Sequence, residues 1–276
     1  MHRNVTLAPP WITALLLACC FSRSAWCAEG IAVYAAGSLR GVVTELARDS
    51  AAALGTEVNA TFGGSGTLRE RIEAGEKPDL FLSADLASPR TLEAAGRTQV
   101  PVIAFARNRV CIVSRRASGI TAANLIDRLL DPAVRVKTSM PVADPGGDYA
   151  WAIFDRIDAR RPGAGAVLKK KAQALMSATA PASPGQNPAV ALFASGAIDV
   201  SVTYCSGAPA LEKELPQLTS LPVPPELDPH PVYGLAVLSA KPEAWRVALF
   251  LLSHQGQAIV ANNGLLPILE PAGVAP

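Results

Sequence analysis

Short apolar runs alternate with helical stripes over the first third of the chain. Residues 31–35 form a run typical of a strand, and apolar residues then recur at i, i+3, i+4 and i+7 from Leu39 to Leu46. The same succession begins again at Val58 and at Asp79. Strands and helices in strict alternation predict a parallel sheet that is covered by helices on both faces. In such sheets, ligands bind beyond the carboxyl ends of the strands.

The pattern changes after residue 100 and predicts a second lobe. Residues 102–106 and 109–113 have the composition of two strands that carry the chain from the first lobe to the second. Residues 198–204 alternate apolar and polar side chains, like a strand that ends at Tyr204. Five prolines between positions 222 and 231 suit a stiff return crossing. We therefore expect an α/β protein of two lobes with a two-strand hinge, in which parallel-rich sheets are flanked by helices.

These patterns divide the chain into a leader and two lobes. The leader covers residues 1–28, lobe I is discontinuous and comprises 29–106 with 232–276, and lobe II comprises 107–231. Within lobe II, we expect one helix that is capped by Thr121. A second helix is expected to open at Asp148, after a loop rich in proline and glycine at residues 139–147.

The first 28 residues have the pattern of an export signal. His2 and Arg3 precede an uncharged apolar segment, residues 5–21, which is too short to span a bilayer permanently. Cleavage after residue 27 or 28 would release a soluble protein, whereas the segment that ends at Cys19 can also be interpreted as a lipoprotein cleavage box. We expect a periplasmic protein, and we prefer soluble export to lipid anchoring through Cys19.

The charge balance argues against a nucleic-acid partner. Removing residues 1–28 removes Arg3 and Arg23 and no acidic residue, which leaves 23 basic and 23 acidic side chains. A nucleic-acid binder normally carries an excess of basic residues, because it must neutralise phosphates. The lysine run at residues 169–171 is most simply a solvated helix face.

Few cysteines and histidines remain outside the leader. Cys111 and Cys205 could form a disulfide in an exported protein, or Cys111 could be a small buried hydrophobe, and the sequence leaves both alternatives open. His230 and His254 do not cluster with cysteine. We therefore expect no metal site and no cofactor.

Two turns rich in glycine and hydroxyl groups are the first candidates for ligand binding. Residues 61–68, Thr-Phe-Gly-Gly-Ser-Gly-Thr-Leu, lie between a strand-like run and a helical stripe, and residues 35–39 form a similar turn. Glycine allows the backbone to approach a ligand closely, and a helix N-terminus presents unpaired N–H groups to an anion. Clusters of glycine and serine are also common in loops that bind no ligand, and that alternative stays open for each turn.

Enzymatic interpretations of these turns fail. A nucleophile elbow needs the pattern G-x-S-x-G, but position 67 is threonine, and a nucleotide P-loop needs a lysine that is absent here. Asp79 and Asp85 bracket one strand and could act as paired carboxylates, although Asp79 is more simply a residue at the entry of a strand. We expect no catalytic residues.

The order of several motifs resembles that of periplasmic molybdate-binding proteins, over about residues 30–268. The segments that carry the resemblance are Ala35-Ala-Gly-Ser-Leu39, Gly64-Ser-Gly-Thr-Leu68, Ile72-Glu-Ala-Gly75, Asp79-Leu-Phe-Leu-Ser-Ala-Asp85, Pro145-Gly-Gly-Asp-Tyr-Ala150 and the strand that ends at Tyr204. The resemblance implies a two-lobed type II periplasmic receptor, a monomer, that closes on a tetrahedral oxyanion. It also implies delivery of molybdate, or tungstate, to an ABC permease.

The resemblance assigns ligand contacts residue by residue. The hydroxyl and N–H donors of the family fall on Ser38 and Ser65, its tyrosine falls on Tyr204, its helix-start donor falls on Gly146 with Gly147 beside it, and a further backbone donor falls at or near Gln186. Neutral dipoles that converge in a site without water can hold a dianion without a cationic side chain.

Two features depart from the pattern of that family. The segment 186–188, Gln-Asn-Pro, is unusual for it, and Asp148 places a carboxylate near the expected site. Asp148 is harmless if it points outward from the first helical turn, but it would repel a dianion if it faced the ligand. Two alternatives remain: a receptor for another anion such as sulfate, and an exported enzyme or adaptor that uses the same fold.

Overall fold

A computed structural model describes residues 30–181 and 186–269. Within these residues the chain forms ten strands, in chain order β1 (Ile31–Ala36), β2 (Val58–Gly63), β3 (Leu80–Ser83), β4 (Ile103–Arg107), β5 (Val110–Arg115), β6 (Val136–Lys137), β7 (Val200–Tyr204), β8 (Leu218–Pro222), β9 (Val232–Val237) and β10 (Leu266–Pro267).

Ten α-helices accompany these strands in the described part of the chain. They are α1 (Arg40–Leu54), α2 (Ser65–Glu73), α3 (Ala87–Ala94), α4 (Leu125–Leu130), α5 (Pro145–Arg160), α6 (Ala164–Gln173), α7 (Pro188–Ala194), α8 (Ala208–Glu214), α9 (Pro242–Leu252) and α10 (His254–Asn262). The expected succession of strand, turn and helix at the start of the chain is confirmed by β1, α1, β2, α2, β3 and α3.

The strands form two sheets, one of six strands and one of four. The first has the order β10-β4-β9-β3-β1-β2 and the second the order β6-β7-β5-β8. The pairs β1–β2, β1–β3 and β6–β7 are parallel, whereas the other pairs are antiparallel. The sheets are therefore more mixed than the expected parallel-rich sheets, because β9 returns from the second sheet and enters the first against the direction of β3.

The chain passes between the two sheets twice. Strand β4 leads into β5 through Asn108 and Arg109, and β8 leads into β9 through residues 223–231. The two crossings touch, since the N–H of Asn108 donates to the carbonyl of Pro231 at 2.9 Å. We call the six-stranded sheet with its helices lobe I and the four-stranded sheet with its helices lobe II. The expected two-lobed α/β architecture is thus the observed one.

Each lobe has its own apolar core. In lobe I, the stripe of α1 that the sequence predicted packs on the sheet, and Val42, Val43 and Leu46 are fully buried. In lobe II, α5 and α6 cover the sheet, and Phe154 and Leu168 are fully buried. Burial of one such side chain stabilises the folded protein by about 1.5–3 kcal/mol. The buried stripes therefore hold these helices against the sheets, together with the turns at their ends that are described below.

Three local expectations differ from the structure. Helix α5 begins at Pro145 rather than at Asp148, because the side chain of Asp144 caps it. Helix α4 begins only at Leu125, without a cap from Thr121. Lys171 is not simply solvated, since its ammonium group donates to the carbonyls of Leu129 and Asp131.

Cys111 and Cys205 form a disulfide, which decides the alternative that the sequence left open. Cys111 lies on β5, and Cys205 follows the last residue of β7, the antiparallel neighbour of β5. The two Cα atoms are 4.8 Å apart. The bridge therefore ties the turn after Tyr204 to the centre of the second sheet.

In the described residues, no helix has both the length and the apolar character needed to cross a membrane. The expected leader, residues 1–28, and the alternative anchor at Cys19 lie outside the residues that the structure describes.

Candidate functional site

A cavity of about 220 Å³ lies between the two lobes. Lobe I contributes Ala36, Gly37, Ser38, Gly63 and Ala84, and lobe II contributes Ser139, Asp144, Thr203, Tyr204 and Gly207. The lobe I residues come from the carboxyl ends of β1, β2 and β3, which meet at one edge because these strands are parallel. The cavity has room for a small ion and a few waters, since one water occupies about 30 Å³ in the liquid.

Ser38 faces the cavity from the turn after β1. Its Oγ lies 3.0 Å from the hydroxyl of Tyr233. The same hydroxyl oxygen accepts a hydrogen bond from Nδ2 of Asn108 at 3.1 Å. When the hydroxyl of Tyr233 donates its hydrogen bond to Oγ of Ser38, the hydroxyl of Ser38 can donate its own hydrogen bond to a ligand.

Tyr204 reaches the cavity from the end of β7. The residue is only 9% exposed, and its hydroxyl makes no hydrogen bond of normal length among the described residues, although it lies near enough to the hydroxyl of Tyr233 to lower the pKa of that group. Burial raises the pKa of Tyr204 well above its ordinary value, so the phenol is a protonated donor at neutral pH. A buried hydroxyl without a partner is costly, which indicates that a partner belongs in the cavity.

Ser65 lies behind the cavity wall as the first residue of α2. It is fully buried, and its Oγ accepts a hydrogen bond from the N–H of Ala84 at 3.0 Å. The hydroxyl therefore holds the chain after β3 in place. Thr67 does not cap this helix: it is the third helical residue, and its N–H donates to the carbonyl of Ala143 at 3.2 Å.

Gly146 and Gly147 lie in the first turn of α5, and both of their N–H groups bond to Asp144. The N–H of Gly146 donates to Oδ1 of Asp144 at 2.9 Å, and the N–H of Gly147 donates to its backbone carbonyl at 2.8 Å. Gly147 also packs against the backbone of residues 139–141, where a side chain would not fit. The expected helix-start donors thus lie beside the cavity, but the carboxylate of Asp144 engages Gly146 and the backbone carbonyl of Asp144 engages Gly147.

Asp144 is the acidic residue that lines the cavity. Burial raises the pKa of its carboxyl group above the ordinary value, hydrogen bonds from the N–H of Gly146 and the hydroxyl of Ser139 oppose this shift, and the nearby carboxylate of Asp85 adds to it. Asp148 is turned elsewhere, since its Oδ1 accepts the N–H of Val142 at 3.0 Å. The structure therefore places a carboxylate beside the site, but it belongs to Asp144 and not to Asp148.

Gln186 is not brought to the cavity. The next residue, Asn187, donates its N–H to Glu214 at the carboxyl end of α8. The opposite end of this helix borders the cavity, at Gly207. Of the six residues assigned by resemblance, Ser38 and Tyr204 line the cavity, Ser65, Gly146 and Gly147 support its walls, and Gln186 lies apart.

The two lobes touch beside the cavity. The hydroxyl of Tyr149, on α5, donates to the carbonyl of Ala84 at 3.2 Å. Val142 and Ala143 of lobe II lie so close to the first turn of α2 that a methyl group at Gly66 would collide with the carbonyl oxygen of Val142. Glycine at this position therefore permits the lobes to meet.

The model of a bacterial extracellular solute-binding protein family matches residues 31–266. The chain belongs to this family. A curated relative, the uncharacterized protein PM1146 of Pasteurella multocida (strain Pm70), is 36% identical over 242 residues, which cover 85% of this chain and 98% of the relative.

Solved structures of solute-binding proteins share the fold. The sulfate-binding protein SubI of Mycobacterium tuberculosis H37Rv is similar with a TM-score of 0.69 and 20% identity, covering 87% of each chain. The periplasmic molybdate-binding protein of Azotobacter vinelandii is similar with a TM-score of 0.66 and 20% identity, covering 87% of this chain and all of that one. At such identity the similarity shows the two-lobed fold, and no ligand follows from it.

Sequence reasoning missed several residues of this solute-binding protein. Asp144 could have been found, because an acidic residue before a proline is a common signature of a helix N-terminus. Tyr233 and Asn108 come from the two crossing segments and meet only in the folded chain. No local signal in the sequence marks these two residues as neighbours of Ser38.

The carboxylates that the sequence offered for acid–base chemistry have structural partners. Asp79 is buried and accepts the N–H of Ala32 at 2.9 Å, which fits a residue at the entry of β3. Asp85 bonds within its own turn to Ser83 and Ser88.

Proposed function

We propose that this solute-binding protein captures a tetrahedral oxyanion between its two lobes and delivers it to an ABC permease. The observation that carries the proposal is Tyr204, which lines a small cavity between the lobes and whose hydroxyl is buried without a hydrogen bond of normal length. A hydrogen bond from a neutral donor to a charged ligand is strong where water is excluded, so the anion would satisfy this group. The protein would act outside the cytoplasm as a monomer.

Ser38 and Tyr204 are the proposed side-chain donors. The first turn of α2, at Ser65, supplies the positive end of a helix dipole beside Gly63. Gly146 and Gly147 would add backbone N–H groups only after Asp144 releases them. A contribution from Gln186 would require a movement of the segment before α7.

Molybdate, or the similar tungstate, is the anion that the motif resemblance favours. Sulfate is the second candidate, since the sulfate-binding protein of Mycobacterium tuberculosis shares the fold. We propose binding rather than catalysis, because the ionisable side chains that line the cavity are Asp144 and Tyr204. Asp144 bonds to the hydroxyl of Ser139, but no histidine is among the residues that line the cavity, so the base of a serine hydrolase is missing from this lining.

Isothermal titration calorimetry of the mature protein against molybdate, tungstate, sulfate and phosphate tests the proposal. We expect at least one of these anions to bind with a stoichiometry of about one. Pyruvate, a small planar carboxylate, serves as a control that should not compete. A protein that binds none of the four anions but hydrolyses a phosphate ester would instead be the exported enzyme.

A further inference from the structure

The carboxylate of Asp144 occupies a position that an oxyanion would need. It borders the cavity together with Tyr204 and Ser139. Its Oδ1 already accepts the N–H of Gly146, which is one of the proposed ligand donors. An entering anion and Asp144 would therefore compete for the same first turn of α5, and two negative charges would lie side by side.

The N–H of Gly146 and the hydroxyl of Ser139 stabilise the charge of Asp144, but the ionisable groups that face it do not. Asp85 follows β3, Asp148 lies one turn further along α5, and both are acidic. The phenols of Tyr204 and Tyr233 approach from β7 and β9, and the phenol of Tyr149 lies near Asp85 and Asp148. Burial raises the pKa of all three, so they remain neutral. No lysine, arginine or histidine is among the residues that line the cavity.

We propose that the oxyanion binds here together with one proton, which is shared between the ligand and Asp144. Asp144 is then the residue that determines which protonation state of the ligand the site accepts. This inference rests on the proposed function and narrows its ligand class to oxyanions that bind with a proton.

The two kinds of tetrahedral anion obtain that proton differently. Dihydrogen phosphate, a monoanion, brings its own and can donate it to the Asp144 carboxylate. Molybdate and sulfate carry no proton at neutral pH, so Asp144 must take one from water as they bind. The complex has the same net charge in both cases, since a monoanion beside the ionised carboxylate equals a dianion beside the neutral acid.

Burial favours this arrangement. It raises the pKa of Asp144 in the free protein, so the neutral acid is more accessible here than at the surface. A protonated Asp144 can still accept the N–H of Gly146 on one oxygen while it donates from the other to the ligand. Helix α5 therefore does not lose its cap when the anion binds.

Calorimetry across pH tests this inference with two matched variants. Asp144→Asn removes the ionisable group but keeps a residue that caps helices well, so α5 should remain folded. Asp148→Asn removes a carboxylate one turn away that does not line the cavity. Molybdate, sulfate and phosphate would each be titrated from about pH 5.5 to about pH 8.5, in two buffers with different enthalpies of ionisation.

For the wild type, we expect uptake of about one proton per molybdate or sulfate bound above the pKa of Asp144. The association constant should then fall toward tenfold for each pH unit, because the free carboxylate must be protonated. Asp144→Asn should bind molybdate without that slope and should bind phosphate more weakly relative to molybdate than the wild type does. Asp148→Asn should retain the wild-type slope.

Two results would overturn the inference alone, and a third would overturn the proposed function as well. Tight binding of molybdate or sulfate without proton uptake would contradict the proton coupling, but it would still support the proposed function as an oxyanion receptor. The same would hold if Asp144→Asn kept the wild-type slope. If neither the wild type nor Asp144→Asn bound any oxyanion at any pH, the proposed function would fail, and the proton coupling with it.

Discussion

Tyr204 is the residue on which ligand binding most depends in this account. Replacing it with phenylalanine keeps the ring, which packs against Tyr149 and Tyr233, and removes only the unpartnered hydroxyl. We expect affinity for the anion to fall by about 1.5–3 kcal/mol, roughly ten- to a hundred-and-fifty-fold. The melting temperature of the free protein should stay the same or rise slightly, because a buried polar group without a partner is lost.

Tyr233→Phe is the matched control for that experiment. The hydroxyl of Tyr233 is bonded to Ser38 and to Asn108, so its removal leaves the buried amide of Asn108 without one of its acceptors. We expect this variant to lose stability, by about 1–3 kcal/mol. Unchanged affinity in Tyr204→Phe, together with a clearly lower melting temperature, would make Tyr204 a packing residue.

At the scale of residues, the sequence predicted what depends on local pattern. The alternation in residues 198–204 placed Tyr204 at the end of a strand, and the structure has it as the last residue of β7. Asp144 was missed because the proline and glycine that follow it suggested a loop, although an acidic side chain before Pro145 caps a helix. Asn108 and Tyr233 could not be paired from sequence, because 125 positions separate them.

At the scale of elements, the junction between α2 and residues 142–143 controls how closely the lobes approach. Gly66→Ala adds a methyl group that would meet the carbonyl oxygen of Val142 in this arrangement. We expect anion affinity to fall at least about tenfold, because binding is coupled to lobe closure. The free protein should lose the contact between α2 and residues 142–143 as well, and that loss opposes the gain of about 0.5–1 kcal/mol that alanine brings over glycine within a helix.

Thr67→Ala is the control in the same turn. It removes an exposed side chain whose hydroxyl is 3.5 Å from the Ala143 carbonyl and keeps the backbone hydrogen bond. Small-angle scattering should show contraction on adding anion for the wild type and for Thr67→Ala, but a reduced contraction for Gly66→Ala. Full contraction and wild-type affinity in Gly66→Ala would show that this junction does not limit closure.

The hydrophobic pattern predicts a helix or strand correctly when that element is buried on one face or on all sides. The stripe from Leu39 to Leu46 predicted α1, and those apolar positions are buried against the sheet. The start of α5 was placed too late, because the cap by Asp144 decides it and apolar spacing does not. The start of α4 was placed too early, because Thr121 does not cap it. The disulfide could not be decided from two cysteines alone, since it depends on β5 and β7 being neighbours.

At the scale of the whole molecule, two crossings join lobes that have separate sheets and whose cores meet at Tyr204 and Tyr149. The proline-rich segment predicted the return crossing, but the antiparallel entry of β9 between β3 and β4 has no local signal. Hinged lobes with few covalent links can close on a ligand by small changes at the crossings. The cavity lies where those lobes meet, so closure would exclude water from the anion.

Anomalous diffraction from crystals grown with tungstate at about pH 6 tests the central claim most directly, because tungsten scatters anomalously and the proton that Asp144 needs is available there. The account predicts one strong peak in the cavity, within hydrogen-bond distance of the hydroxyls of Ser38 and Tyr204 and beside the carboxyl group of Asp144. An empty cavity with tungstate bound elsewhere, or a peak that Tyr204 does not contact, would contradict it.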